Sequence, residues 1–375
     1  MPFPRLLAAA ALVALCHPAS AQTLGLGTPQ ARSSEGFSRL FAATELANGK
    51  VLVSDFQEKL LKLVDFAGKK VETVGRQGDG PKEYRSAFSL LHIAGDSILV
   101  YDAFGRRTLR LSPLGEIVRT ERIPETMFTG GMSAPSGIDS EGRLYFQVDT
   151  YDPELRSLKQ LGNIYRWKLG TDRKEPMLEI ATRRLDQVQP GKIVPYRYHD
   201  AWAIRPDGVI GRVVADGYEV LWYRDGKLIG RSGKLAYEPI RLTHEEQAAH
   251  NDSLLTMPAG SASVGGGNSG GAKKRVPDSW IDQNLGTWPE FKPPVVDGFG
   301  AARFDPAGNL WILRTRALHD SIPKYDVVSQ SRGLVRQITL PPHSRVIGFS
   351  KSSVFVAHAD EDDLEWLERY PLPRI

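Results

Sequence analysis

Cysteine is all but missing from this chain. The one cysteine, Cys16, ends an apolar run over residues 6–16 that follows the single charge of Arg5 and precedes the small residues Ala19-Ser20-Ala21. That order is the tripartite layout of a secretory signal peptide cleaved after Ala21. The mature chain would then hold no cysteine, so its stability has to come from a core and not from disulfides, although an exporting compartment would permit them. The bulky Leu15 before Cys16 argues against a lipid anchor at that thiol. Long apolar runs are lacking too. The run over 6–16 is too short to span a bilayer, and the expectation is a secreted or periplasmic protein with no transmembrane anchor after cleavage. Charge of one sign is also in short supply. Against 44 acidic residues stand 48 lysines and arginines, a formal charge of +4 that falls to +3 when Arg5 leaves. So small an excess, with both signs interspersed, leaves no footprint for nucleic acid. The local clusters Arg183-Arg184, Lys273-Lys274-Arg275 and Asp360-Glu361-Asp362-Asp363 read as solvated loops.

What the chain does have is repetition. Residues 46–120 contain one pattern twice: a turn at Asn48-Gly49 or Gly95-Asp96, a strand-like run ending in Asp55 or Asp102, a second run over 60–66 or 108–111, a turn, and a third run over 71–74 or 116–120. Asp102 follows Asp55 by 47 residues, and Asp149 follows Asp102 by 47 again. A period of that size marks a propeller blade. The third blade restarts at residues 136–139 and turns at Glu141-Gly142; its third strand, over 163–169, is displaced by an inserted segment at 150–161. The fourth covers residues 201–231, with turns at Asp207-Gly208 and Asp225-Gly226. Period-two alternation, β-branched and aromatic enrichment and Asp-Gly turns favour antiparallel strands.

The register breaks over residues 235–296, where a polar helix-leaning piece (243–255), a glycine- and serine-rich run (260–271) and a return bearing Trp and Pro (280–294) replace a blade. The middle run reads as a mobile linker. Blades resume at residues 301–340 and 346–370. Removing residues 1–21 from 375 leaves 354, and setting aside about 62 for the insertion leaves about 292, or six repeats of 47. After Tyr370 only five residues remain, two of them proline, which cannot add a ladder strand. The expectation is an all-β, six-bladed β-propeller with four-stranded antiparallel blades. Residues 22–375 form one domain, the partly helical and flexible insertion 235–296 lies between blades four and five, and residues 24–34 supply the missing outer strand of blade six.

The motif Gly-x-x-Gly-x-Gly-Pro-x-Glu-Tyr at residues 75–84, set between two blades whose strands read turn then Val-x-Asp at Asp55 and Val-Tyr-Asp at Asp102, resembles the NHL-type and TolB-like six-bladed propellers. It is most similar to bacterial secreted propellers in which Gly-Pro-Gly-Glu-Phe is the usual form, Lys82 and Tyr84 being departures. The resemblance implies an architecture; propellers of this kind include protein-binding, sugar-binding and enzymatic members, so function has to be argued from a site.

In such a fold the connections between second and third strands, and from blade to blade, open on one face. Every long segment belongs to that class: residues 76–86, 122–134, 150–161, 182–200 and 235–296. Any site is therefore expected on the long-loop face. Strand ends on that side carry Asp55, Asp102, Asp149 and Asp216, with Arg314, Arg316, His319, His358 and Asp360 across from them. Asp55, Asp102, Asp149, Arg314, Arg316, His319 and His358 are the candidate ligand-binding residues. A ring of carboxylates faced by cations could hold a divalent cation or a polar ligand; equally, an aspartate ending a strand accepts N–H bonds from the following turn, and recurrence at one spacing favours that structural role.

Three tempting motifs fail on context. Residues 75–80 look like a phosphate-cradling loop, but no helix follows. Residues 267–271 satisfy Gly-x-Ser-x-Gly around Ser269 without the strand and helix that would strain the turn. His244 and His250 are six apart where zinc helices use four. His92, His199, His319, His343 and His358 form no ligand spacing, and Trp167, Trp202, Trp222 and Trp311 sit at strand positions as blade packing. No catalytic residue is assigned. The leading expectation is a monomeric, non-catalytic binding propeller for a small molecule or a protein partner; the alternative is a metal-assisted hydrolase or lyase.

Overall fold

The repeats fold into four-stranded antiparallel sheets, and the burial of successive strands shows why the sequence reads as it does. Blade one runs Leu40–Glu45, Val51–Asp55, Leu60–Asp65 and Lys70–Val74, innermost strand first. All five residues of the second strand are buried, the third is mixed, and none of the fourth is buried. A strand covered on both faces by neighbouring blades must be apolar on both, whereas an outer strand need satisfy only one. The computed structural model describes residues 22–93, 95–128, 134–154, 156–255, 279–296, 298 and 300–375. Residues 1–21, over which a signal peptide is expected, the glycine- and serine-rich run 260–271 with its Ser269 motif, and Lys273 to Arg275 lie outside the described residues.

Blade two is Leu90–Ile93, Ser97–Asp102, Arg107–Leu111 and Ile117–Arg122; blade three is Gly137–Ile138, Arg143–Asp152, Ser157–Lys168 and Lys174–Ala181. Blade four is Ala201–Ile204, Val209–Val214, Glu219–Arg224 and Lys227–Lys234. Blade five is Ala302–Phe304, Leu310–Leu313, Lys324–Ser329 and Gly333–Thr339, and blade six begins Ser344–Phe349, Ser353–Ala359 and Glu365–Pro371. Six clusters of buried side chains lie one at each seam between blades, four joined to five by Val209, Trp222, Leu310 and Val328, and six joined to one by Phe355, Leu367, Leu40 and Val53. At that last seam the innermost strands approach so closely that a Cβ on Gly348 would overlap the Ala43 carbonyl oxygen, so only glycine fits there. Trp167, Trp222 and Trp311 are buried in the seams, and Trp202 nearly so.

The ring is closed from the N-terminus, and by two strands. Ala31–Arg32 pairs antiparallel with Arg369 and Glu368 as the fourth strand of blade six. Thr23–Gly25 pairs parallel with residues Gln337 to Thr339 and makes blade five five-stranded. Between them Leu26 is buried in the core of the seam between blades five and six. The strap therefore spans two blades where one had been expected.

Blade three departs from its reading. Residues 150–161 are not a loop inserted before the third strand; both strands run on past a bulge at Asp149 and Tyr151 until Asp152 pairs with Ser157. The Asp152 carboxylate accepts the Glu154 N–H at 3.0 Å, and Arg156 takes a positive φ of 48°, so an Asx turn closes an extended hairpin. A further device recurs at hairpin turns: Asp139 accepts a hydrogen bond from the Tyr145 hydroxyl (3.0 Å), Asp305 from the Trp311 indole (3.1 Å) and Asp360 from the Trp366 indole (2.7 Å), each aromatic six residues on. The turn aspartate ties its own backbone N–H groups and the following strand into one unit. Among the described residues no helix is long and apolar enough to cross a membrane.

Candidate functional site

The Gly-rich motif at residues 75–84 is a brace. Tyr84, fully buried, donates its hydroxyl to the Val74 carbonyl (2.7 Å) and accepts the Leu61 N–H (2.8 Å), fixing the outer edge of blade one to the path into blade two. Burial pushes its phenol up to about 12. Glu83 pairs with Arg76 at 2.5 Å and accepts the Gly80 N–H at 2.8 Å. A side chain on Gly78, φ +153°, would overlap the Glu83 carboxylate. The buried Arg107 donates to the carbonyls of Gly78 and Asp79. With the Gly80 amide spent on Glu83, the loop is not an anion cradle.

The candidate residues do not gather into one ring. Asp55 has no exposure, and its oxygens accept the N–H groups of Ser38 (2.9 Å), Arg39 (3.2 Å), Gln57 (3.2 Å) and Glu58 (3.1 Å). Asp102, equally buried, accepts from Arg85 (3.0 Å), Ser86 (2.9 Å) and Gly105 (3.0 Å) and from the Arg107 Nε (2.9 Å). Each carboxylate ties the start of its blade to the turn after the second strand. A carboxylate has about four lone-pair positions, and these are taken. Asp216 is exposed. His358 leans on Glu368 (3.2 Å) within blade six. Arg314 faces the buried Asp326 at 3.8 Å, and Asp326 also accepts the Tyr218 hydroxyl.

Asp149 belongs to a different network. The Gln147 amide donates to Asp149 (2.5 Å) and meets the His199 Nε2 (3.0 Å), while its oxygen accepts the Trp202 indole (2.8 Å); the other ring nitrogen of His199 lies 2.7 Å from the Asp200 carbonyl. Burial pushes the Asp149 carboxyl up, but His199, Gln147 and Arg197 outweigh it and hold the group below the usual carboxylate range. Among the described residues no three His, Cys, Asp or Glu side chains converge as a metal site would require, and with Asp55 and Asp102 occupied by amides the residues present do not fit a resident divalent cation.

Arg314, Arg316 and His319 share the loop between the second and third strands of blade five, and that loop meets the insertion. The helix His244–Leu255 starts with a capping box: Glu246 N–H to Thr243 Oγ1 and Thr243 N–H to Glu246 Oε2, both 3.2 Å. Glu246 also accepts the Leu318 N–H (2.9 Å) and pairs with Lys292 (2.6 Å), which donates to the Arg316 carbonyl (3.0 Å). His319 pairs with Glu245 at 3.1 Å in the open. His250 lies between the rings of Tyr196 and Trp288, with centroids at 5.2 and 5.4 Å, and burial lowers its pKa. On the other side the insertion joins the connection between blades three and four: Ile193 and Leu285 form a bridge, and Lys192 donates to the carbonyls of Asp282 and Gln283.

Where that connection and the returning chain meet, a cleft of about 340 Å³ opens on the long-loop face, lined among others by Arg184, Gln189, Tyr198, Trp288, Glu290 and Phe291. The Arg184 guanidinium lies 5.0 Å from the Tyr198 ring centroid and forks onto Asp186 at 3.1 and 2.9 Å. Gln189 holds the rim by accepting the Thr287 N–H at 2.9 Å. Aromatic faces and oriented polar ends therefore converge in one hollow. A larger hollow of about 470 Å³ on the opposite face has charged walls, Glu141, Arg143, Arg166 and Glu175 among them, and no aromatic face among the described residues. The first is the better candidate. Of its residues only Arg184 stands out in the sequence, in an Arg183-Arg184 pair that reads as a solvated loop whereas Arg183 is buried; Trp288 lies in the return segment and residues 182–200 are one of the long connections.

No family model and no curated protein matches the sequence. Among solved structures, the chain is similar in shape to a Bacteroides fragilis protein described as exported (8% identity, 94% of this chain and 99% of that one, TM-score 0.47). It is also similar to a gluconolactonase from Xanthomonas campestris (12%, 92% and 93%, 0.46) and to the calcium-binding regucalcin of Agrobacterium tumefaciens (12%, 95% and 100%, 0.43). At these values the likenesses carry no argument about what this chain binds or does. The six blades rest on the chain's own strand pairing.

Proposed function

We propose that this chain is an exported, monomeric, non-catalytic binding propeller of the NHL or TolB-like kind, released by cleavage after Ala21, that holds a small molecule in the cleft on its long-loop face. The observation that carries this reading is the convergence of Tyr198, Trp288 and Phe291 with Arg184, Gln189 and Glu290 around one hollow of about 340 Å³. Aromatic rings offer a flat ligand area at little cost in side-chain entropy, and a guanidinium with a planar amide can orient hydrogen-bonding groups at its edge. The ligand that suits such a lining is compact, with one flat face and several polar substituents. The metal-assisted hydrolase or lyase finds no donor set among the described residues.

Equilibrium dialysis of the purified protein against a defined mixture of sugars, nucleosides and amino acids, read by mass spectrometry, tests the reading. The wild type is expected to retain at least one compound unchanged, Arg184→Ala to lose it while unfolding at the same temperature, and Trp288→Ala to lose it while the blades keep their strand spectrum. Retention that survives both substitutions, turnover of the retained compound, or stoichiometric metal in protein purified without chelator overturns it.

A further inference from the structure

We infer that Gln22 is a modification site and that the exported chain begins with a pyroglutamyl ring. The inference rests on the cleavage after Ala21 proposed above, which makes Gln22 the terminal residue. Gln22 is exposed and leads directly into the strap that closes the propeller. Its backbone carbonyl accepts the Gln337 N–H at 3.3 Å, and its side-chain Oε1 accepts Arg336 Nη1 at 2.7 Å. Thr23–Gly25 then pairs with the outer strand of blade five and Leu26 is buried beyond it.

A terminal glutamine can close on itself without oxidant, reductant or second substrate. The α-amino nitrogen attacks Cδ of the same residue, the N–Cδ bond forms, the Cδ–Nε2 bond breaks, and the amide nitrogen leaves as ammonia with the proton the α-amine gives up. The nucleophile is the unprotonated amine, and an α-amino group titrates at about 7.7–8.0, so a share of the chain is reactive near neutral pH. Arg336 bears on the attack itself. As the tetrahedral intermediate forms, negative charge develops on Oε1, the atom to which Arg336 donates, and a donor already aimed at a developing oxyanion lowers the barrier.

The fold accommodates the product. Both acceptors of Gln22 that the structure uses are carbonyl oxygens, and both survive in the lactam; only the Nε2 amine departs. The uncyclised end would instead carry an ammonium one residue's reach from the Arg336 guanidinium, two like charges on one sheet edge, and the ring removes that repulsion. It also removes the free amine that an aminopeptidase needs, at the end from which the strap would be trimmed. Arg336 acts as a promoting residue in the closure, and the strap is its beneficiary.

The test uses the full chain expressed in a Gram-negative host and purified from the periplasm, with intact mass and reactivity toward an amine-specific reagent as readouts. The expected species is Gln22 to Ile375 less one ammonia, unreactive at its terminus. The same chain at its full mass, still amine-reactive after prolonged incubation at neutral pH, overturns the ring and leaves the cleavage standing. A chain beginning at another residue overturns the cleavage and the ring with it. Arg336→Ala isolates the chemistry: released with a fresh terminus in vitro, it is expected to lose ammonia several-fold more slowly than wild type, and equal rates overturn the role given to Arg336.

Discussion

Glu246 and Lys292 meet at 2.6 Å with side chains 5% and 4% exposed, and neither belongs to a blade. The pair joins the insertion helix to the segment returning toward blade five, and through Leu318 N–H and the Arg316 carbonyl to that blade's loop. Burial pushes the Glu246 carboxyl up, but Lys292 and the amides of Leu318 and Thr243 outweigh it and hold it below its ordinary value of 4.5. A depressed carboxyl stabilises the fold above its unfolded pKa and loses that contribution as pH falls through the folded one, so the insertion should loosen only in acid below about 4.5. Lys292→Met leaves a buried charge without its partner and is expected to cost about 3–5 kcal/mol of local stability. Hydrogen exchange should show the helix His244–Leu255 losing protection while the blades keep theirs. Pairing it with Glu246→Gln, which removes the stranded charge but keeps an acceptor for the Thr243 and Leu318 N–H groups, should restore much of the protection, and an unchanged helix in the single variant would contradict this joint.

The strap makes a separate prediction, because it holds two blades by different strands. Removing residues 22–29 deletes the parallel strand on blade five and the buried Leu26 but leaves Ala31–Arg32 on blade six. Removing residues 22–34 deletes both. Urea denaturation should show a graded loss, the first step including about 2–5 kcal/mol for the buried leucine, and the second going further because the last sheet loses its edge. Equal stability of the two truncations would mean that the pairing of Ala31 with Arg369 contributes nothing.

How much of this could be read from the chain depended on how local the cause was. The 47-residue spacing of Asp55, Asp102 and Asp149 reflects repeated hairpins, each decided within its own strands and turns, and so the blades were legible. The six-residue step from Asp139 to Tyr145, from Asp305 to Trp311 and from Asp360 to Trp366 was present but means nothing until the hydrogen bonds are seen. The need for a closing strand followed from Pro371 and Pro373, whereas the second strand at Thr23–Gly25 is three residues with no alternation to betray it. The cleft was least legible. Tyr198 and Trp288 are 90 residues apart, and they meet because Glu246, Lys292 and the bridge of Ile193 with Leu285 fold the insertion back.

Asp102 gives the clearest test of the carboxylates. It accepts three backbone N–H groups and the Arg107 Nε in a site with no exposure. Asp102→Asn turns half of that acceptor set into a donor facing donors, and leaves Arg107 with only the exposed Asp79 at 4.0 Å as a charge partner. A loss of about 3–5 kcal/mol is expected from the broken buried pair, measured by denaturant titration, with metal content the same as wild type. Were the variant to stay as stable as wild type and lose a bound cation instead, the carboxylate would be a ligand and the amide contacts incidental.

Tyr84 links the brace motif to alkaline stability. Its phenol is pushed up to about 12 by burial, from an ordinary value of 10.0. The neutral form is the one the fold prefers, since the hydroxyl must donate to the Val74 carbonyl while accepting from Leu61. Below pH 10 that preference is fully expressed. Between about 10 and 12 the unfolded chain sheds this proton while the folded chain keeps it, so stability falls as pH rises, by about 2–3 kcal/mol in all for a shift of this size. Tyr84→Phe has no proton to lose and should show a shallower decline across that window, its slope reduced by up to one proton. At neutral pH the same substitution leaves the Leu61 N–H and Val74 carbonyl without their shared partner, and should cost about 1–3 kcal/mol. The two effects have opposite consequences for the difference between the proteins: the variant begins less stable, and the gap narrows as the solution becomes alkaline. A gap that stays constant from pH 8 to 12 would show that the Tyr84 proton is not held by the fold, and the brace would then be a matter of packing alone.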